Sequence, residues 1–370
     1  MGRSSLMPRL ELQPRVGYGP RRVLITTGAS VGVALLMGAA LLALCGVDPV
    51  AAYTALFRAG LLGGPYALSD TAVKATPLLL CGLGCAVAFR ARLWNVGAEG
   101  QLLMGAWAAT GVATFWLPDS ALPPELLHLI MAVAAAAAGG AWGGIAGALR
   151  ARLGVNEIIS SLMLVYVAQH WIKYFVFGPW SEGGFPLTPM FPRELWLPRL
   201  SDLAGTWPAF SGLTVHLGLF MGLLCCAGLH LVLKYTAWGF ELRVLGDSPR
   251  TARYMGLNVP RRTFWTMALS GALAGLAGFS EVAGVVHRLQ DRFSPGYGFV
   301  AIAVAWLARL HPWGVLVAAL LFGALLVGAK EVQPAGIAMM LQGVLMLATV
   351  AGDFFLRFKV RWVKRVEDGP

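Results

Sequence analysis

Polar residues that could contact a solute begin one apolar segment of this 370-residue chain. Asn95, Glu99 and Gln101 lie where basic residues Arg90 and Arg92 give way to a long apolar run. A carboxylate at membrane depth is costly and usually paired, which makes Glu99 a functional candidate. The same positions suit a helix cap, because Asn95 or Glu99 can stabilise the positive amino end of a helix. The sequence leaves both interpretations open.

A second group of polar residues begins another apolar segment at Asn156, Glu157 and Ser160. Glu157 could line a solute path or form an ion pair with Arg152. Each of these residues could equally hold neighbouring helices together by hydrogen bonds. The polar line continues along the same segment at three further positions: Gln169, His170 and Lys173.

A short helix is predicted in the loop between two apolar segments. Ser248 can cap it, Pro249 suits its first position, and Gly256 suits its end. Three of its residues could dock on a partner protein: Arg250, Arg253 and Tyr254. An ordinary surface helix would have the same pattern, so the sequence does not decide between these two interpretations.

Residues for catalysis or metal binding do not form recognisable sets in the sequence. The six histidines are scattered, and the five cysteines lack zinc-finger spacing. The segment 323–331 comes closest to an ATP-binding loop, but its lysine is misplaced and no Ser or Thr follows it. We therefore expect no catalytic residues, no metal and no cofactor on this chain, and any ATP hydrolysis belongs to another subunit.

The elements that position these residues are membrane helices. The chain is 57% hydrophobic and 13% charged, whereas soluble domains carry about 25% charged residues. The net charge of +11 comes from basic residues clustered between apolar runs, which indicates topology determinants. We predict an all-α, polytopic transmembrane bundle that does not bind nucleic acid.

About ten spans are predicted, because a spanning helix needs roughly 20 mostly apolar residues. The long run after residue 298 is divided at Arg309-Leu310-His311-Pro312. The predicted spans are 23–45, 71–89, 97–117, 126–148, 157–178, 213–234, 263–284, 298–308, 313–329 and 336–356.

Most of the 29 basic residues fall in alternate connections, which predicts both termini on the cytoplasmic side. The domain organisation is then a cytoplasmic tail at 1–22, a transmembrane domain at 23–356 and a basic cytoplasmic tail at 357–370. Within the transmembrane domain, the loop 235–262 lies inside and the loop 179–212 lies outside.

Glycines recur at fourfold spacing in two of the predicted spans. Gly139, Gly143 and Gly147 form one stripe, and Gly271 and Gly275 form another. Small residues at this spacing let helix backbones approach closely. We therefore predict that the stripes are helix-packing faces.

Four ordered motifs carry a family resemblance. They are Asn-Val-Gly-Ala-Glu-Gly-Gln at 95–101, the stretch 156–163, the loop 246–256, and Ser-Pro-Gly-Tyr-Gly-Phe at 294–299 with the small apolar run after it. From about residue 70 to 355, the chain resembles the permeases of the nucleoside and simple-sugar branch of bacterial ABC importers, which are related to branched-chain amino acid permeases.

The resemblance implies a multi-pass permease in the bacterial cytoplasmic (inner) membrane. Its partners would be a cytoplasmic ABC ATPase that binds ATP-Mg, a second permease chain, sister or identical, and an extracytoplasmic solute-binding protein, together with membrane lipid. The 95–101 motif favours nucleosides or related small polar solutes. A simple-sugar importer remains the alternative, and an ion-coupled secondary transporter is a further one.

The same resemblance implies that the helix at 249–255 is the coupling helix that contacts the ATPase. Ala252 and Gly256 fit the Ala-x-x-x-Gly part of the importer signature. The acidic residue expected at its start is absent, since Pro249 and Arg250 stand there.

Overall fold

The computed structural model describes residues 9–14, 19–118, 122–332 and 336–363. The rest of the two predicted tails, 1–8, 15–18 and 364–370, lies outside these residues. In chain order the elements are β1 (Arg9–Pro14), α1 (Pro20–Leu44), α2 (Pro49–Phe57), α3 (Gly64–Arg90), α4 (Ala98–Thr110), α5 (Pro124–Leu153), α6 (Glu157–Phe177), α7 (Leu217–Tyr235), α8 (Ala237–Asp247), α9 (Pro249–Tyr254), α10 (Val259–Glu281), α11 (Tyr297–Leu307), α12 (Pro312–Gly328), α13 (Ile337–Arg357) and β2 (Phe358–Val363). Short π-helical segments follow three of the helices: Arg58–Leu62, Gly111–Trp116 and Val282–Val286.

Two compact units make up the chain, and the first contains both ends of it, Met1–Ala52 and Gly336–Pro370. Helices α1 and α13 pack together in this unit around a small apolar cluster formed by Ala34, Val344 and Ala348. A methyl group at Gly352 of α13 would collide with the Ser30 hydroxyl of α1. The small residue therefore allows the two helices to meet closely.

The first unit also contains a two-stranded sheet that the all-α prediction did not include. Strands β1 and β2 pair antiparallel, with Leu10 opposite Trp362 and Leu12 opposite Val360. Apolar and polar residues alternate in both strands, the pattern of a strand with one apolar face. Six residues of alternating pattern are too few to predict a strand by themselves. The strands form because the two ends of the chain lie side by side and pair.

Helices α3 and α10 form the interior of the second unit, Tyr53–Ala335. Helix α10 packs against α3, α4 and α5, and the predicted glycine stripes form its contact with α5. A methyl group at Gly271 would collide with the carbonyl oxygen of Gly139, and one at Gly275 with that of Ala135. The two backbones are thus in direct contact, as the stripes predicted.

Helix α11 is a half-length helix of 11 residues. It rises about 16 Å, whereas the hydrocarbon core of a bilayer is about 30 Å thick. It begins after Gly296, whose φ is +93°, and ends before a turn in which Arg309 and Leu310 both have positive φ. The break that the sequence predicted between 308 and 313 is therefore confirmed.

Every predicted span corresponds to a helix. Among the described residues, six helices are long and apolar enough to cross a membrane by length and composition. They are Ile25–Leu44, Gly64–Arg90, Pro124–Leu153, Leu217–Tyr235, Val259–Val286 and Pro312–Glu331. The helical, multi-pass character of the chain is confirmed, and α2 is a further helix that the sequence analysis did not identify.

The long loop 179–212 is held against the segment that follows α10. The Thr188 N–H donates to the Leu289 carbonyl oxygen at 2.9 Å, and the Leu289 N–H donates to the Thr188 hydroxyl at 3.0 Å. The Leu197 N–H donates to the carbonyl oxygen of Ala283 at 2.9 Å. The loop and the segment 283–291 are therefore bonded through their backbones at several points.

The Gly271 contact makes the first prediction. Leucine at position 271 must separate α10 from α5, and forced packing of this kind costs about 1–3 kcal/mol. We expect Gly271→Leu to lower the melting temperature of the purified protein in detergent. Gly228→Leu is the matched control, because a side chain at Gly228 of α7 meets nothing within 4 Å. Equal melting of the two variants would contradict a close α5–α10 contact.

Candidate functional site

The chain leaves α3 through a tight turn before it enters α4. Arg92 has a φ of +54°, and the Leu93 N–H donates back to the Ala88 carbonyl oxygen at 3.0 Å. The Trp94 ring stacks on Trp306 of α11, with ring centroids 5.6 Å apart. These contacts fix the direction in which the motif at 95–101 enters the interior.

Asn95 and Gln101 form a reciprocal amide pair. The Asn95 amide nitrogen donates to Gln101 Oε1 at 2.8 Å, and the Gln101 amide nitrogen donates to Asn95 Oδ1 at 2.9 Å. Asn95 also donates to Ser270 Oγ at 2.8 Å, and Ser270 donates to the Gly84 carbonyl oxygen at 2.7 Å. Both amides are buried, so the pair joins the 91–97 turn to α4, α10 and α3.

Glu99 lies beside this pair and binds a different helix. Its Oε2 accepts the Gly298 N–H at 2.7 Å, in the first turn of α11. The positive end of a helix dipole favours a negative charge at this position. The Glu99 carboxylate therefore bonds the amino end of α11, 199 positions away in the sequence. It also lies in the first turn of its own helix α4, which has no side-chain cap.

The second polar group lies at the start of α6. Asn156 caps that helix, since its Oδ1 accepts the Ile158 N–H at 2.9 Å, and the Ser160 hydroxyl bonds the Glu157 carbonyl oxygen at 3.4 Å. Glu157 is buried. Its Oε2 lies 3.3 Å from Nε of Arg150, so the predicted ion pair with Arg152 is wrong. Gly154 turns the chain with a φ of +67°, and this turn returns Glu157 to the last turn of α5.

The structure thus places the six candidates at distinct positions. Asn95 and Gln101 are in the interior, Asn156 and Ser160 make local bonds at the start of α6, and Glu157 joins α5 to α6. Glu99 also lines a cavity of about 310 Å³, which we call the Glu99 cavity. Its other polar lining residues are Gln169, Lys173, Asp291, Arg292 and Ser294.

The predicted loop helix is present as α9. Ser248 Oγ accepts the Thr251 N–H at 3.2 Å, which caps the helix, and Gly256 follows it with a φ of +79°. Ala252 is fully buried, whereas Tyr254 is 92% exposed and Arg250 and Arg253 are also exposed. One face of α9 therefore anchors it, and the other presents a basic and aromatic surface.

Helix α8 seats α9 against the end of α3. A methyl group at Gly246 would collide with the Arg90 carbonyl oxygen, so α8 and α3 meet at backbone contact. The Arg90 guanidinium donates twice to the Leu310 carbonyl oxygen, at 3.0 and 2.8 Å. Arg90 therefore connects the α8–α3 junction with the turn between α11 and α12.

A buried ionic cluster joins α3, α10 and α11, and the sequence analysis assigned it no role. The Lys74 amino group lies 3.2 Å from Glu281 Oε1 and 2.9 Å from Tyr297 Oη. Glu281 is only 2% exposed. Two ionisable residues of opposite sign in apolar helices were the available signal, because such residues are usually paired. Their separation of 207 positions concealed the pairing.

Arg199 and Trp196 of the long loop form a hydrogen-bonded and stacked group with His287. The Arg199 guanidinium donates to His287 Nε2 at 2.7 Å, so His287 Nδ1 carries the proton and donates to the Ala283 carbonyl oxygen at 3.0 Å. Trp196 stacks on the His287 ring. Burial first, and then the Arg199 charge, lower the pKa of His287 to about 4. His287 is therefore uncharged at neutral pH, and Arg199 remains its donor.

Metal binding has no support within the described part of the chain, where no three His, Cys, Asp or Glu residues are grouped to hold an ion. The buried side chains of Asn95, Gln101, Glu157 and Glu281 are held by hydrogen bonds and ion pairs instead. Spanning helices, a half-length helix whose amino end binds a carboxylate, and a cavity at that point together define a membrane transporter architecture.

Comparison with known families agrees with that class. The model for the permease component of the branched-chain amino acid transport system matches residues 67–350. The chain belongs to this family of transport permeases, as the four motifs predicted. No solved structure matches it.

Three relatives show the breadth of the family. The chain is 36% identical to the glucose ABC transporter permease protein TsgB13 of Haloferax volcanii, over 99% of this chain and 96% of that protein. It is 32% identical to the guanosine ABC transporter permease protein NupP of Bacillus subtilis, over 90% and 94%. It is 29% identical to the nucleoside ABC transporter permease protein NupB of Lactococcus lactis, over 92% of each.

The amide pair makes a prediction about stability. Gln101→Met keeps the length of the side chain but removes both bonds to Asn95, whose amide then keeps only Ser270 and the Gly97 N–H as partners. Each hydrogen bond lost costs about 0.5–1.5 kcal/mol. We expect a clear fall in melting temperature in detergent. Gln169→Met, at an exposed position of α6, should leave the melting temperature near that of the wild type; equal effects would rule out the pair as a structural bond.

Proposed function

We propose that this permease serves an ATP-driven importer and translocates nucleosides or related small polar solutes. The observation that carries the proposal is the α8–α9 pair, which is seated on α3 by Gly246 and exposes Arg253 and Tyr254. A basic and aromatic surface of this kind fits a partner protein, since Arg and Tyr are enriched in interfaces. Relatives named for guanosine and nucleosides support the solute class.

Simple sugars are the second candidate class of solute. The glucose permease of Haloferax volcanii shares more identical residues with this chain than the nucleoside permeases named above. Sugars and nucleosides share neutral, hydroxyl-rich rings, so one polar path suits either class.

The proposed assembly contains three kinds of partner subunit. A cytoplasmic ABC ATPase would bind ATP-Mg, a second permease chain, sister or identical, would complete the path, and an extracytoplasmic solute-binding protein would deliver the solute. This chain would bind no cofactor. Closure of the ATPases would act on α9, and the permease would switch between two packings that its partners bias.

The contacts around α8 suggest how a movement of α9 would reach the interior. Gly246 contacts the backbone at the end of α3, and the Arg90 side chain there donates hydrogen bonds to the Leu310 carbonyl oxygen, just beyond α11. The amino end of α11 is bonded to Glu99. A shift of α8 and α9 would therefore act first on the carboxyl end of the half-length helix, through Arg90.

We further propose about ten spans with both termini cytoplasmic, in a bacterial inner membrane. The basic loop 235–262 would then be inside and the loop 179–212 outside. In a background without native cysteines, Ser4→Cys should react with an impermeant maleimide only in inside-out vesicles. Ser201→Cys in the long loop should react only in right-side-out vesicles. Labelling of both cysteines from one side would contradict this topology.

Co-purification and transport test the function. The chain, gently solubilised from its native membrane, should retain an ATPase and a second permease that mass spectrometry identifies. Liposomes containing the complex and its binding protein should accumulate uridine or glucose only with ATP. A chain that purifies alone, and transports in ion-loaded vesicles without ATP, would be a secondary transporter.

Arg253→Glu tests the role of α9 within that experiment. We expect normal membrane insertion but loss of ATP-driven uptake, because the exposed charge at the ATPase contact is reversed. Arg152→Glu is the matched control, with the same charge reversal at another exposed arginine. Normal uptake by Arg253→Glu would remove the coupling assignment.

A further inference from the structure

The Glu99 cavity lies between α4, α6 and the segment 291–294, within one compact unit of the chain. At about 310 Å³ it falls at the lower end of the range for small-molecule pockets, about 300–1,000 Å³. Leu103, Ile172 and Phe293 supply an apolar wall, and the remaining lining residues are polar. Polar residues make up most of this lining, unlike the mostly apolar lining of a typical small-molecule pocket, and such a lining suits a solute rich in hydroxyl groups.

The charges around this cavity balance. Glu99 and Asp291 contribute two carboxylates, and Lys173 and Arg292 contribute two cations. A site for an ion would present an excess of the opposite charge, because binding sites complement the potential of their ligand. Balanced charges provide strong hydrogen-bond acceptors and donors without that excess. The lining therefore suits a neutral solute with several hydroxyl groups.

Glu99 supplies the best-placed acceptor. It is 4% exposed, and it accepts a bond within the protein, from the Gly298 N–H. An ionised carboxylate has about four acceptor positions, so acceptor capacity remains on the side that lines the cavity. Two adjacent hydroxyl groups can donate to one carboxylate at the same time, whereas a single hydroxyl group uses only part of that capacity.

We propose that the Glu99 cavity binds the transported solute through a vicinal diol. The Glu99 carboxylate accepts a hydrogen bond from each of the two hydroxyl groups, and Lys173 and Arg292 donate hydrogen bonds to the hydroxyl oxygens. The diol is the group that ribosides and pyranoses share, which accounts for nucleoside and sugar permeases on one framework. This inference rests on the proposed function, and it adds the chemical group that the permease itself recognises.

The cavity can be tested on the purified permease without its partners, which removes the selectivity of the binding protein. In a background without native cysteines, Gln169→Cys places a thiol at an exposed position of the lining. A solute bound in the Glu99 cavity should shield this thiol, so the rate of its reaction with a small maleimide falls as the cavity is occupied. The diol probes are uridine and glucose; 2′,3′-dideoxyuridine and tetrahydropyran-2-methanol keep the rings but lack the diol.

We expect at least one diol probe to slow labelling several-fold and its diol-free counterpart to leave the rate unchanged. A site built to bond hydroxyl groups rejects an analogue without them, because its polar groups are then left unpaired. Equal protection by the matched pair, or no protection by either diol probe, would overturn the proposal. ATP-driven uptake by the complete importer is measured separately, so its failure would identify an error in the proposed function instead.

Variants separate solute binding from the role of Glu99 at α11. Glu99→Gln, which retains an oxygen for the Gly298 N–H, should abolish the protection by the diol, and Glu125→Gln, at an exposed position of α5, should not. Lys173→Met leaves the Glu99–Gly298 bond in place and should weaken protection, because it removes one donor to the hydroxyl oxygens. It keeps the test valid if Glu99→Gln fails to fold. Full protection in Lys173→Met together with Glu99→Gln would exclude these side chains as diol ligands.

Discussion

Backbone contact between α10 and its neighbours is the constraint on which the rest of the second unit depends. In lipid, association of helices relies on close packing and interhelical hydrogen bonds, because the surroundings are as apolar as the side chains. Gly271 and Gly275 bring α10 onto α5, and Gly278 brings it onto α4, where a methyl group would strike the Leu102 carbonyl oxygen. Gly84 brings α3 equally close to Ser270 of α10, and this lets the short Ser270 side chain bridge Gly84 and Asn95.

The polar residues in this packed interior divide into two kinds. Asn95 and Gln101 bond each other, and their environment is complete without a ligand. Glu99, four positions from Asn95, bonds the amino end of α11 and borders a cavity. The adjacent amide pair holds the start of α4 in place, so the position of the Glu99 carboxylate follows from it. A transport site needs this rigidity, because hydrogen-bond recognition fails when its groups are displaced.

The half-length helix α11 connects the features that a transporter has to coordinate. Its amino end meets Glu99, Trp306 near its other end stacks on Trp94, and the turn beyond it is held by Arg90. The segment before it carries the cavity residues 291–294 and is bonded to the long loop. A movement of the long loop would therefore act on the segment that lines the cavity at 291–294.

The sequence alone determined the membrane class, the positions of the helices at the ten predicted spans, the glycine faces and the short helix α9, because each depends on local composition or spacing; the short helix α2 was missed. Three outcomes depended on tertiary structure. They are the bond of Glu99 to α11, the pairing of Glu157 with Arg150 where Arg152 had been expected, and the Lys74–Glu281–Tyr297 cluster. Each joins residues on different helices, and periodicity within a helix carries no information about which helix lies beside it. The β1–β2 pairing has the same origin, since its two short strands come from opposite ends of the chain.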